Sequence, residues 1–167
     1  MRKMTEDNLK AAFAGESQAH MRYMAFSDKA EREGFPNVAR LFRAISFAEQ
    51  VHATGHFRTL SGINATAENL GEAIGGETYE VEEMYPAFMA VAEHQGEKAA
   101  LRSMTYALEA EKIHAAMYQQ ARQAVEAGRD PSLGTIYICE VCGYTVEGEA
   151  PDRCPVCNAP KNKFHAF

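Results

Sequence analysis

Ala48-Glu49-Gln50-Val51-His52-Ala53 decides the fold of this chain, because it returns almost unchanged as Ala110-Glu111-Lys112-Ile113-His114-Ala115. Residues i and i+3 share a helix face, so each copy aims one carboxylate and one imidazole at a single point. A further Glu stands upstream of each copy at nearly the same interval: Glu16 lies 33 positions before Glu49, and Glu77 lies 34 before Glu111. Both upstream residues follow a glycine, Gly15 and Gly76, and Gly34 and Gly96 each lie 15 positions before their Glu-x-x-His. The chain therefore reads as two helical hairpins of one pattern, Glu … turn … Glu-x-x-His, and such a repeat sets the architecture. Two Glu and two Glu-x-x-His pairs, facing one another across four helices, make a dinuclear metal site.

The rest of the chain agrees with a soluble bundle. Its 167 residues allow one sizeable domain and a small one, and 46% hydrophobic with 24% charged residues is globular composition. A net charge of -6 without a basic patch speaks against nucleic acid or an anionic membrane as partner. Residues 1–10 lack the apolar core of a signal peptide, and no apolar run is long enough to span a bilayer, so a cytoplasmic location is expected.

The 3.6-residue pattern predicts a first helix over 5–33, with Thr5 as N-cap and Leu9, Phe13, Glu16, Ala19, His20, Tyr23 and Phe26 on one face. Gly34-Phe35-Pro36 breaks it, and Pro36 suits the first position of a second helix running to about Leu60. That helix carries Val38, Leu41, Phe42, Ile45, Glu49 and His52 on its apolar stripe. Residues 65–76, with Gly71, Gly75 and Gly76, read as a longer, partly helical connection. A third helix then begins near Glu77, with Pro86 expected to kink it. The fourth spans about 97–127 and ends before Gly128 and Pro131. The fold class is thus mainly α: a four-helix bundle over 1–131, followed by a small metal-binding β domain over 132–167.

Glu16, Glu49, Glu77, Glu80 and Glu111 all sit near the middle of apolar stripes. Any one alone reads as an exposed Glu beside such a stripe. Five buried carboxylates without a set of inward Lys or Arg would unfold a bundle, and metal cations remove that conflict. Two divalent ions offer four positive charges and two ferric ions six, which suits iron moving between oxidation states. Carboxylate and imidazole donors together favour iron or manganese. The repeat pairs Glu16 with Glu77, so Glu80 is surplus, and it can exchange with His52 when the metal changes charge. His20 and His56 read as packing or outer residues, and the methionines as core filling.

After Pro131 the character changes. Thr135-Ile136-Tyr137-Ile138 reads as a short strand leading to Cys139-x-x-Cys142, and Cys154-x-x-Cys157 follows. A piece this short cannot bury a core, so a metal must hold it. Four cysteines in two such loops suit either zinc or iron. A one-electron centre beside a redox-active pair has a purpose, so iron is expected, with zinc able to substitute.

These residues together resemble the rubrerythrin family: Gly15-Glu16-Ser17-Gln18-Ala19-His20, both Glu-x-x-His segments, Gly76-Glu77 to Tyr85-Pro86, Cys139-Glu140-Val141-Cys142-Gly143-Tyr144 and Cys154-Pro155-Val156-Cys157. The resemblance implies a ferritin-like di-iron bundle with a rubredoxin-like domain that reduces hydrogen peroxide to water. It further implies Glu49 and Glu111 as bridging ligands, Glu16 and Glu77 as terminal ones, His114 on one iron, and Glu80 and His52 alternating on the other. Tyr23 and Tyr85 match outer positions near the reaction. It implies two irons in the carboxylate/histidine site and one iron on Cys139, Cys142, Cys154 and Cys157. Electrons would come from an NAD(P)H-dependent rubredoxin reductase, or from rubredoxin, in protection against oxidative stress. A homodimer or larger assembly is implied, with one chain's four-Cys site near another chain's di-iron site. The connection over 63–76 is shorter than in some members, which leaves domain swapping open. Asn158 stands where the family often has Gly, and Asn tolerates the left-handed conformation that the loop needs. The alternatives, a ferroxidase or iron-storage protein and a zinc-ribbon interaction module on a helical scaffold, each account for only one half of the chain.

Overall fold

A computed structural model describes residues 1–167. The chain divides into two compact units, Met1–Asn64 and Ala65–Phe167. The first is a hairpin of α1 (Lys3–Arg32) and α2 (Pro36–Thr59). Its helices run antiparallel, since Ser27 meets Ala39, His20 meets Ser46 and Phe13 stacks on Phe57. The buried residues are all small: Ala19, Ser27 and Ala30 on α1, and Ala39, Ser46 and Ala53 on α2. Small side chains let the backbones approach, so Ser27 Oγ donates to Ala39 O at 3.0 Å and Ser46 Oγ to His20 O at 2.9 Å. Pro36 takes the first turn of α2, as its spacing predicts. Thr5 does not cap α1, which begins two residues earlier at Lys3.

Two helices share only one mutual face. The remainder of the predicted stripe is therefore exposed within this unit, with Leu41 at 60% and Phe26 at 47% of full accessibility.

In the second unit, a continuous helical run over 66–95 comprises α3 (Thr66–Tyr79), a π-helical segment (Glu80–Met84) and α4 (Tyr85–Gln95). The run starts at Thr66, eleven residues before the expected start at Glu77. Glu68 sets that start by accepting a hydrogen bond from Ala65 N at 3.2 Å. Gly71, Gly75 and Gly76 thus lie inside a helix despite their low propensity. At Gly71 the helix passes close to α5 (Lys98–Glu126): a Cβ there would lie 3.2 Å from the guanidinium of Arg122, which would have to shift by a few tenths of an ångström. Pro86 removes a backbone donor, and the ladder widens just before it, with Tyr85 N bonding Glu80 O. The expected kink is a π-turn.

The chain closes with a three-stranded antiparallel sheet, ordered β2 (Thr145–Glu147), β1 (Ile136–Cys139), β3 (Phe164–Ala166). Its core is the cysteines themselves: Cys139, Cys142 and Cys154 are buried with Ala159, under Tyr144, Val156, Phe164 and Tyr106 of α5. No helix is long and apolar enough to cross a membrane.

Candidate metal centres

Each unit gathers its own copy of the repeat. In Met1–Asn64, Glu16 from α1 meets Glu49 and His52 from α2, with donor atoms all within 4.8 Å of one another. Glu49 Oε2 lies 3.0 Å from His52 Nδ1, and the His52 side chain is 56% exposed. In Ala65–Phe167, Glu77 from α3 meets Glu111 and His114 from α5 within the same limit. Here Glu111 Oε2 lies 2.7 Å from His114 Nδ1, and the ring is 28% exposed.

In the second trio the carboxylates crowd one another. Burial, the hydrogen bond with Glu111, and the negative charges of Glu111 and Glu80 push the Glu77 carboxyl up to about 8. Glu80, on the π-segment, is also raised, by burial and by Glu111, with His114 acting in the opposite sense. The Tyr85 hydroxyl is raised by burial and by Glu80, Glu111 and Glu77, so it stays protonated. Glu80 and Tyr85 therefore face the trio without belonging to it. A cation would remove the penalty on Glu77, and hard oxygen donors with imidazole fit iron. Tyr23 is placed differently. It packs with Phe26 and Phe42, and no hydrogen bond joins it to Glu16, Glu49 or His52. His20 is tied to Ser46, whose carbonyl and hydroxyl both lie 2.9 Å from its Nδ1.

The four sulfurs also converge within 4.8 Å. Cys139 and Cys157 are 3.6 Å apart and Cys142 and Cys154 3.5 Å, too far for disulfides. Sulfurs about 2.3 Å from a tetrahedral metal would lie about 3.8 Å apart, so the cluster fits an ion with little adjustment. Burial pushes the Cys142 thiol up, which a bound cation would reverse by displacing the proton. The two loops turn at residues with positive φ, Gly143 at 79° and Asn158 at 62°. Asn158 thus adopts the left-handed conformation that the loop needs, which Asn tolerates.

The first Cys loop rests on α5. A Cβ at Gly143 would lie 3.7 Å from Ala110, and His114 Nε2 is 2.7 Å from Thr145 Oγ1. Tyr106, Ala110 and His114, four residues apart, form the stripe that receives it.

Comparison with known proteins accounts for both halves. The rubrerythrin family model matches residues 7–122, and the rubrerythrin rubredoxin-like domain matches 137–165. The chain belongs to the rubrerythrin family. It is 42% identical to rubrerythrin-2 of Clostridium acetobutylicum, over 98% of this chain and 97% of that one. It is 35% identical to nigerythrin of Nitratidesulfovibrio vulgaris, over 98% and 86%. A solved structure of nigerythrin in its fully reduced, all-ferrous state aligns with a TM-score of 0.57 at 34% identity, covering 98% of this chain and 86% of that one. Rubrerythrins are in general di-iron oxidoreductases with peroxidase activity, and this chain carries both donor sets of the family, the Glu/His clusters and the four-Cys site.

Thr145 and Ala110 were not singled out by spacing. A lone Thr at a strand start carries no signal, whereas Gly143 marks the loop that lands on α5.

Proposed function

We propose that this rubrerythrin reduces hydrogen peroxide to water at a di-iron site held jointly by the two trios. In this reading Glu49 and Glu111 bridge, Glu16 and Glu77 are terminal ligands, His114 holds one iron, and Glu80 and His52 alternate on the other. Cys139, Cys142, Cys154 and Cys157 hold a rubredoxin-type iron. The functional division falls near residue 131, with the helices over 1–131 serving the di-iron site and 132–167 the electron-transfer site. One observation carries the reading: the Cys142-Gly143 loop lies on the same helix stripe that presents His114. A storage protein has no use for a one-electron centre there.

Two iron ions held here would supply the two electrons that break the O–O bond of peroxide. The chain must deliver two protons for the two waters formed. Tyr85 is suited to this, because it is a hydroxyl donor beside Glu80, Glu111 and Glu77. Glu80 shares that environment, where burial and Glu111 raise its carboxyl, and a carboxyl there can serve as a proton donor or as a ligand. His52, exposed and bonded only to Glu49, is free to turn away, whereas His114 is held at both nitrogens. Tyr23 serves as an outer residue on the first hairpin.

Electrons come from an NAD(P)H-dependent rubredoxin reductase or from rubredoxin, and the protein acts in the cytoplasm against oxidative stress. The working form is a homodimer or larger in which hairpins are exchanged. Exposed Leu41, Ile45 and Phe26 on the first unit supply the apolar face such an exchange would bury. Exchange also reconciles the Cys loop packed on its own α5 with a four-Cys site that serves a centre shared between chains.

To test the peroxidase reading, the protein is reduced without air, given stoichiometric peroxide, and followed in the visible region. Red ferric–thiolate colour should return faster than air alone restores it. Faster return with air would favour an oxidase or ferroxidase.

A further inference from the structure

Thr145 is 3% exposed, so its hydroxyl must find partners inside the protein. It has two. The hydroxyl donates to Gly143 O at 3.0 Å, and His114 Nε2 lies 2.7 Å away. A hydroxyl carries one proton and a carbonyl oxygen can only accept. With that proton committed to Gly143, Thr145 offers His114 a lone pair, and Nε2 must be the donor. Nδ1 is then the nitrogen turned to Glu111, at 2.7 Å from Oε2. With Nε2–H kept by Thr145, Nδ1 is the nitrogen whose proton a cation held by Glu111 would displace, freeing there the lone pair that a metal ligand needs.

We infer that Thr145 is a positioning residue for the di-iron site, reaching from the four-Cys domain to fix the ring and tautomer of His114. The four-Cys domain thereby does more than carry an electron centre. It supplies the outer hydrogen bond that metal-bound histidines characteristically make. The contact is held at two points on one stripe of α5, since Gly143 seats against Ala110 one turn before His114. Gly143 meets both needs at once: its φ of 79° turns the Cys loop, and its carbonyl orients the Thr145 hydroxyl. His52 has no such support, its only hydrogen bond being to Glu49.

Resting as it does on the di-iron reading, this role needs a test that separates the two. Fe(II) is titrated without air into the full chain and into Thr145→Val and Thr145→Ser. The Val variant keeps the shape and loses the hydroxyl. It should bind one of the two bundle irons about 10–100-fold more weakly, the cost typical of a lost outer partner. Ferric–thiolate colour should be retained, and Thr145→Ser should restore the affinity. Equal affinities in the unmutated protein and Thr145→Val would overturn the role alone. No bundle iron in the unmutated protein would overturn the di-iron reading and this role with it.

A second measurement needs no variant. In the zinc-loaded chain with 15N-labelled histidine, His114 should show a metal-bound Nδ1 and a slowly exchanging Nε2–H. Zinc on Nε2 would overturn the role even if Thr145→Val fails to fold.

Discussion

The two Glu-x-x-His segments are near copies in sequence, yet they work in different surroundings. Glu49 and Glu111 have similar side-chain exposure, 16% and 18%, but His52 is exposed to 56% and His114 to 28%. α1 runs for 30 residues without a break, while its counterpart over 66–95 is interrupted by the π-segment before Pro86. That interruption brings a second acid, Glu80, to the second trio, and the four-Cys domain brings Thr145 to its histidine. The first hairpin has neither addition. A duplicated motif keeps its ligand types, and the elements attached to each copy decide which ligand is fixed and which can move.

The strongest way to break this comparison is to delete the shared carboxylate from either copy. Glu49→Ala and Glu111→Ala should each lower peroxidase turnover by about 100-fold or more, beyond the loss expected for an outer partner, with helical circular dichroism retained. Full activity and iron content in either variant would show that its trio is not part of the site.

Mixing the two inactive variants, unfolded and refolded together, then sharpens the comparison. If hairpins are exchanged between chains, one site of each mixed dimer combines two intact halves, and part of the activity returns. If both halves come from one chain, every site keeps a defect and no activity returns.

A smaller effect distinguishes the second trio by its charge. Glu77 has its carboxyl raised from an ordinary carboxylate value to about 8, so the folded metal-free chain holds a proton that the unfolded chain releases. Stability from this group is complete below the unfolded value and is lost as pH rises towards 8. Metal-free protein should therefore melt at lower temperature as pH is raised through that window. Glu77→Gln should flatten the slope, and an unchanged slope would place the raised group elsewhere.

Much of this was legible in the sequence, for reasons that differ by region. The repeat of Glu16, Glu49 and His52 in Glu77, Glu111 and His114 announced the two trios, because helix geometry converts spacing directly into a shared face. The Cys spacing likewise fixed the donors of the last domain, and Asn158 adopts the left-handed turn its position requires. The start of α3 differs from the expected one because Gly71, Gly75 and Gly76 look like a connection, whereas the structure carries them inside the helix, Gly71 close under Arg122. Pro86 marked a disturbance but not its form, since a π-turn depends on how neighbouring carbonyls are satisfied. The Thr145–His114 contact joins residues 31 apart on different elements, and no local pattern encodes it.

The central claim is that the two trios hold one dinuclear centre. Electron paramagnetic resonance of the iron-loaded protein, titrated to its half-reduced state, tests it most directly. A signal from an exchange-coupled mixed-valent pair, absent in both Glu49→Ala and Glu111→Ala, is the result this account predicts. Two magnetically isolated irons, each surviving loss of the other trio's glutamate, would contradict it.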